Sequence, residues 1–262
     1  MTGALDWYRS EAPILFMSSE ELFHFKQFSL NQAGCGMRIG TDGVLLGAWA
    51  SVEEGDKTSL QILDVGCGTG LITLMLAQRF DRAEVTALEI EPLAVERATC
   101  NAMLSPFASR VQIVQSDFAT WSAPHNSYDL IVSNPPYYKN TLQARSDARH
   151  TARAVDTLSP EVVLRRSSEL LSLRGVVALV TPYDQLDELR KIAFSHGLIP
   201  IQLTAVRTVS RKFPKRLLSA WSRDFEDSGA PIPLQILDIH GSDSSSYTPE
   251  YLDLVRPFYT FL

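Results

Sequence analysis

Short runs of β-branched and aliphatic residues alternate with longer stretches of helical periodicity over most of the chain. The short runs are typical of strands that are buried on both faces of a sheet. They fall at residues 62–65, 84–88, 111–115, 129–133 and 176–181. The helical stretches between and after them are 71–80, 92–104, 159–173 and 183–195. Alternation of this kind predicts a mainly parallel sheet with helices on both faces.

Two further apolar runs, at 198–206 and 217–221, are joined by a segment too short for a helical crossover, so they are predicted to pair antiparallel. The predicted fold class is therefore α/β. It is a doubly wound, Rossmann-like sheet of seven mostly parallel strands with an antiparallel C-terminal hairpin. We expect residues 1–60 to form an N-terminal extension that packs on the core and covers substrate and cofactor, and residues 61–262 to form the main domain.

The composition agrees with a globular protein, because 45% of the 262 residues are hydrophobic and 21% are charged. The formal net charge of −6 argues against a protein that coats nucleic acid electrostatically. The basic residues are nevertheless clustered. Six of them, with no acidic residue among them, are Arg207, Arg211, Lys212, Lys215, Arg216 and Arg223. A second basic set consists of Lys139, Arg145, Arg149, His150 and Arg153.

Cysteine and histidine usage excludes several kinds of site. The cysteines Cys35, Cys67 and Cys100 include no C-x-x-C pair, so they form neither a disulfide framework nor a four-ligand zinc site. The five histidines are scattered, and we predict no bound metal. A reducing, cytoplasmic compartment is expected. The first apolar run, residues 13–17, is far too short for a signal peptide or a membrane span, so no membrane association is expected.

A glycine-rich turn follows the predicted strand 62–65 and leads directly into a predicted helix. Its sequence is Asp64-Val65-Gly66-Cys67-Gly68-Thr69-Gly70. Glycines allow a tight turn and a close approach of a ligand to the backbone, and the helix N-terminus offers unpaired N–H groups. The spacing is G-x-G-x-G, which differs from the G-x-G-x-x-G fingerprint of dinucleotide-binding proteins and disfavours an NAD-dependent oxidoreductase.

Acidic residues follow the next two predicted strands. Glu89 is placed to accept hydrogen bonds from both ribose hydroxyls of a nucleoside. Asp117 could accept a hydrogen bond from an exocyclic amine while the ring of Phe118 lies against a purine. Each residue alone is more often part of a turn or a helix cap. In this order at successive strand ends, they predict a nucleoside-containing cofactor.

The order of these residues resembles that of the class I S-adenosylmethionine-dependent methyltransferases, whose glycine motif the segment 64–70 matches closely. The resemblance covers about residues 60–200 at the level of the fold, and it makes 61–262 a methyltransferase domain. It implies S-adenosylmethionine as the cofactor. The cofactor-binding residues that it implies are Asp64, Gly66, Cys67, Gly68, Gly70, Glu89, Ile90, Asp117, Phe118, Thr41 and Asp42.

The tetrad Asn134-Pro135-Pro136-Tyr137 follows the predicted strand 129–133, beside the same cleft. An NH₂ group conjugated to a ring is a poor nucleophile, because its lone pair is delocalised. If the Asn134 side-chain oxygen and the Pro135 carbonyl accept its two hydrogens, the lone pair is directed at the methyl sulfonium. The prolines fix the direction of the carbonyl, and Tyr137 offers a face for stacking a flipped base. The tetrad resembles the amino-methyltransferase signature, which implies catalytic roles for its residues.

Related families use this tetrad on adenine N6, guanine N2 and glutamine side chains. Residues 1–60 do not look like the separate helical domain of the enzymes that methylate glutamine in release factors. Instead, 28–30 and 37–46 resemble the N-terminal motif of bacterial RNA amino-methyltransferases. Together with 247–251 and 258–259, nearly the full length looks like the tRNA adenine-N6-methyltransferase family that modifies the purine 3′ of the anticodon in a valine tRNA.

This resemblance implies a tRNA partner. The predicted RNA-binding residues are Arg38, Lys139, Arg145, Arg149, Arg211, Lys212, Lys215 and Arg216. Basic runs are usually solvated surface, but two of them, one directly after the tetrad, favour RNA. The predicted function is transfer of a methyl group from S-adenosylmethionine to N6 of a tRNA adenine by a monomeric enzyme. A protein glutamine N5-methyltransferase, an rRNA guanine-N2 methyltransferase and a catalytically inactive RNA-binding subunit remain open alternatives.

Overall fold

The computed structural model describes residues 22–35, 39–55, 58–136, 158–223, 232–242 and 245–260. Its strands are β1 (Leu22–His24), β2 (Ser29–Asn31), β3 (Leu60–Val65), β4 (Ala83–Glu89), β5 (Val111–Gln115), β6 (Tyr128–Ser133), β7 (Leu171–Pro182), β8 (Ile199–Val209), β9 (Arg216–Ser222) and β10 (Leu234–His240). Its α-helices are α1 (Thr41–Trp49), α2 (Leu71–Arg79), α3 (Pro92–Leu104), α4 (Pro160–Leu170), α5 (Leu186–Ser195) and α6 (Pro249–Val255).

Within the described part of the chain, eight strands form one sheet in the order β10-β8-β9-β7-β6-β3-β4-β5. The strands from β7 to β5 in this order run parallel, and β9 is antiparallel to both β7 and β8. The order reverses at β3, whose neighbours are β4 on one side and β6 on the other. In sheets of this kind, ligands bind beyond the carboxyl ends of the strands at such a switch point.

The sheet confirms the predicted fold class and the antiparallel pairing of 198–206 with 217–221, now β8 with β9. The main sheet of the described residues has eight strands where seven were predicted, because β10 pairs parallel with β8 at the edge. Only Leu237 is fully buried in β10, so this strand lacks the continuous buried run that marks the inner strands. Helix α4 ends at Leu170, before the predicted end at 173, because β7 begins at the next residue.

Hydrophobic clusters cover both faces of the sheet. One cluster combines α1 and α2 with strand residues such as Ile62 and Leu130. The other combines α4 and α5 with Leu63 and Ile131. Neighbouring residues of β3 and β6 thus enter opposite clusters, as expected for strands buried on both sides. Among the described residues, no helix is both long enough and apolar enough to cross a membrane.

The described part of the N-terminal extension shares this core. The ring of Phe25 stacks on Phe28 and on Tyr259, with centroids 4.7 and 5.7 Å apart, and Phe25 forms an isolated antiparallel bridge with Tyr259. Helix α1 approaches α2 so closely that a Cβ on Gly47 would lie 2.8 Å from Sδ of Met75. The described residues of the extension therefore contact the main domain, whereas the division at residue 60 and the role of the extension as a cover for substrate and cofactor stay predictions.

Candidate active site

The strand register places the predicted site residues at one edge of the sheet. Val65, the last residue of β3, pairs with Leu88 of β4 and with Ser133, the last residue of β6. Glu89 at the end of β4 pairs with Gln115 at the end of β5. The chain therefore leaves the sheet at the same level in four places, at Gly66, Ile90, Ser116 and Asn134.

Three glycines of the turn after β3 have left-handed backbone conformations. The φ angles of Gly66, Gly68 and Gly70 are 72°, 57° and 88°, a region that strains residues with a side chain. The amides of Gly66 and Cys67 both donate to the carbonyl of Leu88, at 2.9 and 3.0 Å, and so attach the turn to β4. A Cβ on Gly68 would meet no atom of the described residues within 4 Å, so these residues leave room for a ligand beside the turn.

The carboxylate of Glu89 holds the same turn in place. Its Oε2 accepts a hydrogen bond from the amide of Gly68 at 2.8 Å, and its Oε1 accepts from the amides of Ile90 and Glu91 at 2.8 and 3.0 Å. A carboxylate has about four acceptor positions, so a further donor such as a ribose hydroxyl can still be accommodated. The contact of Glu89 with a ribose fits this geometry and stays a prediction.

Asp64 is a completely buried acid at the end of β3. Its Oδ2 accepts a hydrogen bond from Oγ1 of Thr73 at 2.6 Å, whereas its Oδ1 has no hydrogen-bond partner among the described residues. Burial raises the pKa of the Asp64 carboxyl to about 7, and the bond from Thr73 offsets only part of this effect. A buried acceptor without a donor costs free energy, so Oδ1 fits a ligand that brings an N–H group or a cation.

The other predicted cofactor residues after β3 differ in exposure. The side chain of Ile90 is 45% exposed, so it offers an apolar face at the carboxyl edge of the sheet. Phe118 is only 3% exposed and lies in the core, which argues against the predicted stacking of its ring on a purine. Asp117 is half-buried, and its Oδ1 accepts a hydrogen bond from the amide of Ala119 at 2.8 Å. Cys67 is buried, which raises the pKa of its thiol.

The segment 134–136 follows β6 beside the glycine turn. Oγ of Ser133 donates to the carbonyl of Val65 at 2.8 Å and joins the ends of the two strands. Pro135 is buried and the residues on either side of it are half-buried, so part of this segment faces the outside at the carboxyl edge. Tyr137, the last residue of the predicted tetrad, lies outside the described residues.

Two neighbours of the glycine turn are not among the residues that the sequence predicts for the site. A Cβ on Gly66 would lie 2.7 Å from Cδ2 of Leu158, so this contact as well as the φ angle requires glycine. Thr73, the partner of Asp64, is the one polar residue in the apolar stretch 71–77, and this is the signal that could have identified it. Leu158 gives no comparable signal, because an apolar residue before a helix is common.

The loop 210–215 lies at the same edge as the glycine turn, because Arg216 at the start of β9 pairs with Pro182 at the end of β7. It exposes three predicted RNA-binding residues, Arg211, Lys212 and Lys215. Arg216 instead donates from Nε to Oδ2 of Asp42 at 2.7 Å. Arg216 and Asp42, which were predicted to bind RNA and cofactor, therefore form an ion pair with each other. Thr41, the other predicted cofactor residue of α1, is exposed.

The basic run of the sequence is divided in the structure. Arg207 forms two hydrogen bonds with the carboxylate of Asp238, at 2.6 and 2.8 Å. Arg223 donates to Oδ1 of Asn126 at 2.7 Å, before the amino end of β6 and thus at the opposite edge. Four more predicted RNA-binding residues lie outside the described part of the chain: Arg38, Lys139, Arg145 and Arg149.

Several known proteins are similar to this chain. Residues 47–165 match the family model described as Methyltransferase small domain. A tRNA1(Val) (adenine(37)-N6)-methyltransferase of Porphyromonas gingivalis is 46% identical over 245 residues, which cover 92% of this chain and 95% of that protein. A Bacteroides fragilis enzyme of the same name is 43% identical over 243 residues, covering 92% and 98%. In fold, a predicted O-methyltransferase of Agrobacterium tumefaciens aligns with a TM-score of 0.62 at 21% identity, over 83% of this chain and 96% of that one.

Proposed function

Because this chain belongs to the family of tRNA1(Val) (adenine(37)-N6)-methyltransferases, we propose that it transfers a methyl group from S-adenosylmethionine to N6 of adenine 37 in tRNA1(Val). The pairing of Val65 with Ser133 carries the proposal, because it places the glycine turn and Asn134 next to each other at the carboxyl edge of the sheet. A cofactor at the turn and a base at Asn134 would meet there. The proposed enzyme acts as a monomer on tRNA in the cytoplasm.

The residues around the glycine turn fit S-adenosylmethionine. Oδ1 of Asp64, which has no hydrogen-bond partner in the described part of the chain, suits the ammonium group of the cofactor, and Glu89 has capacity for its ribose. Gly68 borders open space, and the exposed side chain of Ile90 offers a face to the adenine ring. When bound, S-adenosylmethionine supplies an electrophilic methyl group on a positively charged sulfur.

The N6 amine of adenine needs activation, because its lone pair is delocalised into the ring. In the proposed mechanism, the side-chain oxygen of Asn134 and the carbonyl of Pro135 accept the two N6 hydrogens. The nitrogen then becomes more pyramidal, and its lone pair points at the methyl group. Pro135 and Pro136 keep the backbone carbonyl in one direction, and Tyr137 stacks on the flipped base. Catalysis rests on positioning and on two hydrogen-bond acceptors, without a general base. The sulfur–methyl bond would break as the N6–methyl bond forms, S-adenosylhomocysteine would leave, and the methylated amine would release one proton to solvent.

The proposed tRNA contacts begin at the loop 210–215, whose exposed cations lie at the edge of the cleft. Arg216 would contribute less charge than its neighbours, because Asp42 is its partner. The further proposed contacts are Arg38, Lys139, Arg145 and Arg149. We also propose that residues 1–60 cover substrate and cofactor, since the ion pair of Asp42 fixes the start of α1 at the carboxyl edge.

The proposal is tested by incubating the protein with labelled S-adenosylmethionine and a tRNA1(Val) transcript. We expect N6-methyladenosine in the nucleoside digest by mass spectrometry, and no label in a transcript with guanine in place of adenine 37. A purified release factor and total rRNA serve as competing substrates. Label in either of these and none in tRNA would overturn the proposal. Label in no substrate, with tRNA still bound, would indicate an inactive RNA-binding subunit.

A further inference from the structure

Phe213 is the most exposed large hydrophobic residue of the described chain, with 92% of its surface accessible. It lies in the loop 210–215 among exposed cations, namely Arg211, Lys212 and Lys215. Single exposed apolar residues are common, so the exposure alone assigns no role to this ring. Three further features distinguish Phe213. Its neighbours in the loop are cations, the backbone of the loop is held by hydrogen bonds, and the loop lies at the edge of the proposed active site.

Hydrogen bonds hold the backbone of this loop. The amides of Lys212 and Lys215 donate to carbonyls of β8, each at 3.0 Å. The carbonyl of Lys215 accepts a hydrogen bond from the amide of Tyr183 at 3.2 Å, and the ring of Pro214 restricts the following turn. The backbone of Phe213 is therefore in place before a ligand arrives, so binding has to order little beyond the ring itself.

The loop also lies within reach of the proposed methylation point. Its end continues into β9, and β9 is separated from β6 only by β7. With neighbouring strands about 4.8 Å apart, the loop is about 10 Å across the sheet from the segment 134–136, which follows β6. An RNA strand that delivers one base to that segment would pass the loop with a nearby nucleotide.

We propose that Phe213 stacks on an unpaired base of the tRNA anticodon loop near the methylated adenine, while Arg211, Lys212 and Lys215 contact the neighbouring phosphates. This inference rests on the proposed function and adds a specificity-determining residue to it. An aromatic ring among cations suits single-stranded nucleic acid, because every base has a π-face and every nucleotide carries a phosphate. Stacking on Phe213 would hold the loop unstacked, which lowers the cost of flipping the target base.

Substitution of the ring tests this proposal. Phe213→Ala is expected to raise KM for the tRNA1(Val) transcript about 5- to 150-fold, with cofactor affinity and Tm unchanged. Phe213→Trp should keep KM near that of the wild type, whereas the apolar but non-aromatic Phe213→Leu should not. The control is Phe194→Ala. Phe194 is also exposed, at 58%, but it lies near the end of α5, and this helix returns the chain to the edge of the sheet opposite the proposed active site. Equal KM values for the two alanine variants, or full activity of Phe213→Leu, would overturn the proposal.

A set of tRNA1(Val) transcripts, each with one abasic nucleotide in the anticodon loop, identifies the stacked base. Removal of that base should raise KM for the wild type but not for Phe213→Ala, because the contact is already lost. If the two effects multiply at every position, Phe213 contacts no base, and the proposal is overturned. Failure of the wild type to methylate the intact transcript would refute the proposed function itself, which is a different result from multiplying effects.

Discussion

Nε of Arg216 lies 2.7 Å from Oδ2 of Asp42, and this ion pair joins the first residue of β9 to the first turn of α1. The two residues are 174 positions apart in sequence and were predicted to bind RNA and cofactor, respectively. Because each partly neutralises the other, neither contributes a full charge to a ligand. The pair instead fixes the N-terminal extension at the carboxyl edge of the sheet.

The coupling between these two residues should be measurable. Asp42→Ala, Arg216→Ala and the double variant are expected to give a coupling of about 1 kcal/mol in the free energy of unfolding from urea denaturation, because both side chains are half-buried. The control cycle uses Arg190 and Asp187, whose side chains are more exposed and 3.5 Å apart, and its coupling should be near zero. Similar values for both cycles would contradict an anchoring role for the Asp42 pair.

Gly68→Ala should impair cofactor binding more than folding. The substitution places a side chain at φ 57°, which costs about 1–2 kcal/mol of strain, and it also fills the open space beside the turn. We expect at least a tenfold loss of S-adenosylmethionine affinity by calorimetry. Gly197→Ala is the control, since Gly197 has φ 70° and equally open surroundings but lies before β8. If both variants bind the cofactor like the wild type, the turn is not the binding site.

The carboxyl of Asp64 predicts a pH-dependent stability. Burial raises its pKa to about 7. Between about pH 4 and pH 7 the carboxyl is therefore protonated in the folded protein and ionised in the unfolded chain. Its contribution to the free energy of unfolding is therefore present at low pH and lost as the pH rises through about 7. The side chain of the Asp64→Asn variant does not ionise, so its free energy of unfolding should not show this decrease. Urea denaturation of both proteins at pH 5 and pH 8 measures the difference.

The same carboxyl predicts a pH-dependent cofactor affinity. An ammonium group is bound by the ionised form of Asp64, so the affinity of the wild type for S-adenosylmethionine should increase between pH 6 and pH 7.5. Asp64→Asn should bind more weakly, with an affinity that changes little over this range. An identical pH profile in both proteins would show that Oδ1 is not the acceptor for the cofactor.

Asn134→Ala should remove methyl transfer while leaving cofactor binding intact. The variant lacks one of the two proposed acceptors for the N6 hydrogens, and loss of such an interaction costs about 100-fold or more in kcat. Single-turnover methylation of tRNA1(Val) and calorimetry with S-adenosylmethionine provide the two readouts. Turnover within about tenfold of the wild type, which is worth only about 1.4 kcal/mol, would show that Asn134 does not activate the amine.

The sequence was sufficient to predict the central sheet, because buried parallel strands and glycine turns have local signatures. It also allowed the prediction that the glycine turn, Glu89 and Asn134 lie together, since the carboxyl ends of parallel strands share an edge. Each of these residues lies at the end of its strand or directly after it, so an error of one or two residues in a strand end would not have separated them.

Features that depend on packing between distant elements were not predictable in this way. The pairing of Asp42 with Arg216 requires α1 to reach β9, and no local pattern contains that information. The position of Phe118 next to Asp117 indicated that it lies near the cleft, but not that its ring turns into the core. The pairing of β10 with β8 is a contact of the same kind, because it joins two segments that are separated in the chain by β9.

The contact between Phe25 and Tyr259 has a consequence for the order of folding. Strands β1 and β2 have three residues each, and such a small hairpin is not stable alone in water. Since synthesis proceeds from the N-terminus, Phe25 leaves the ribosome well before Tyr259 has been made. The hairpin must therefore wait for one of its docking partners until the whole sheet is complete. A chain released before residue 258 would hold a finished sheet, with a hairpin that contacts Phe107 and Asn101 but lacks Phe258 and Tyr259.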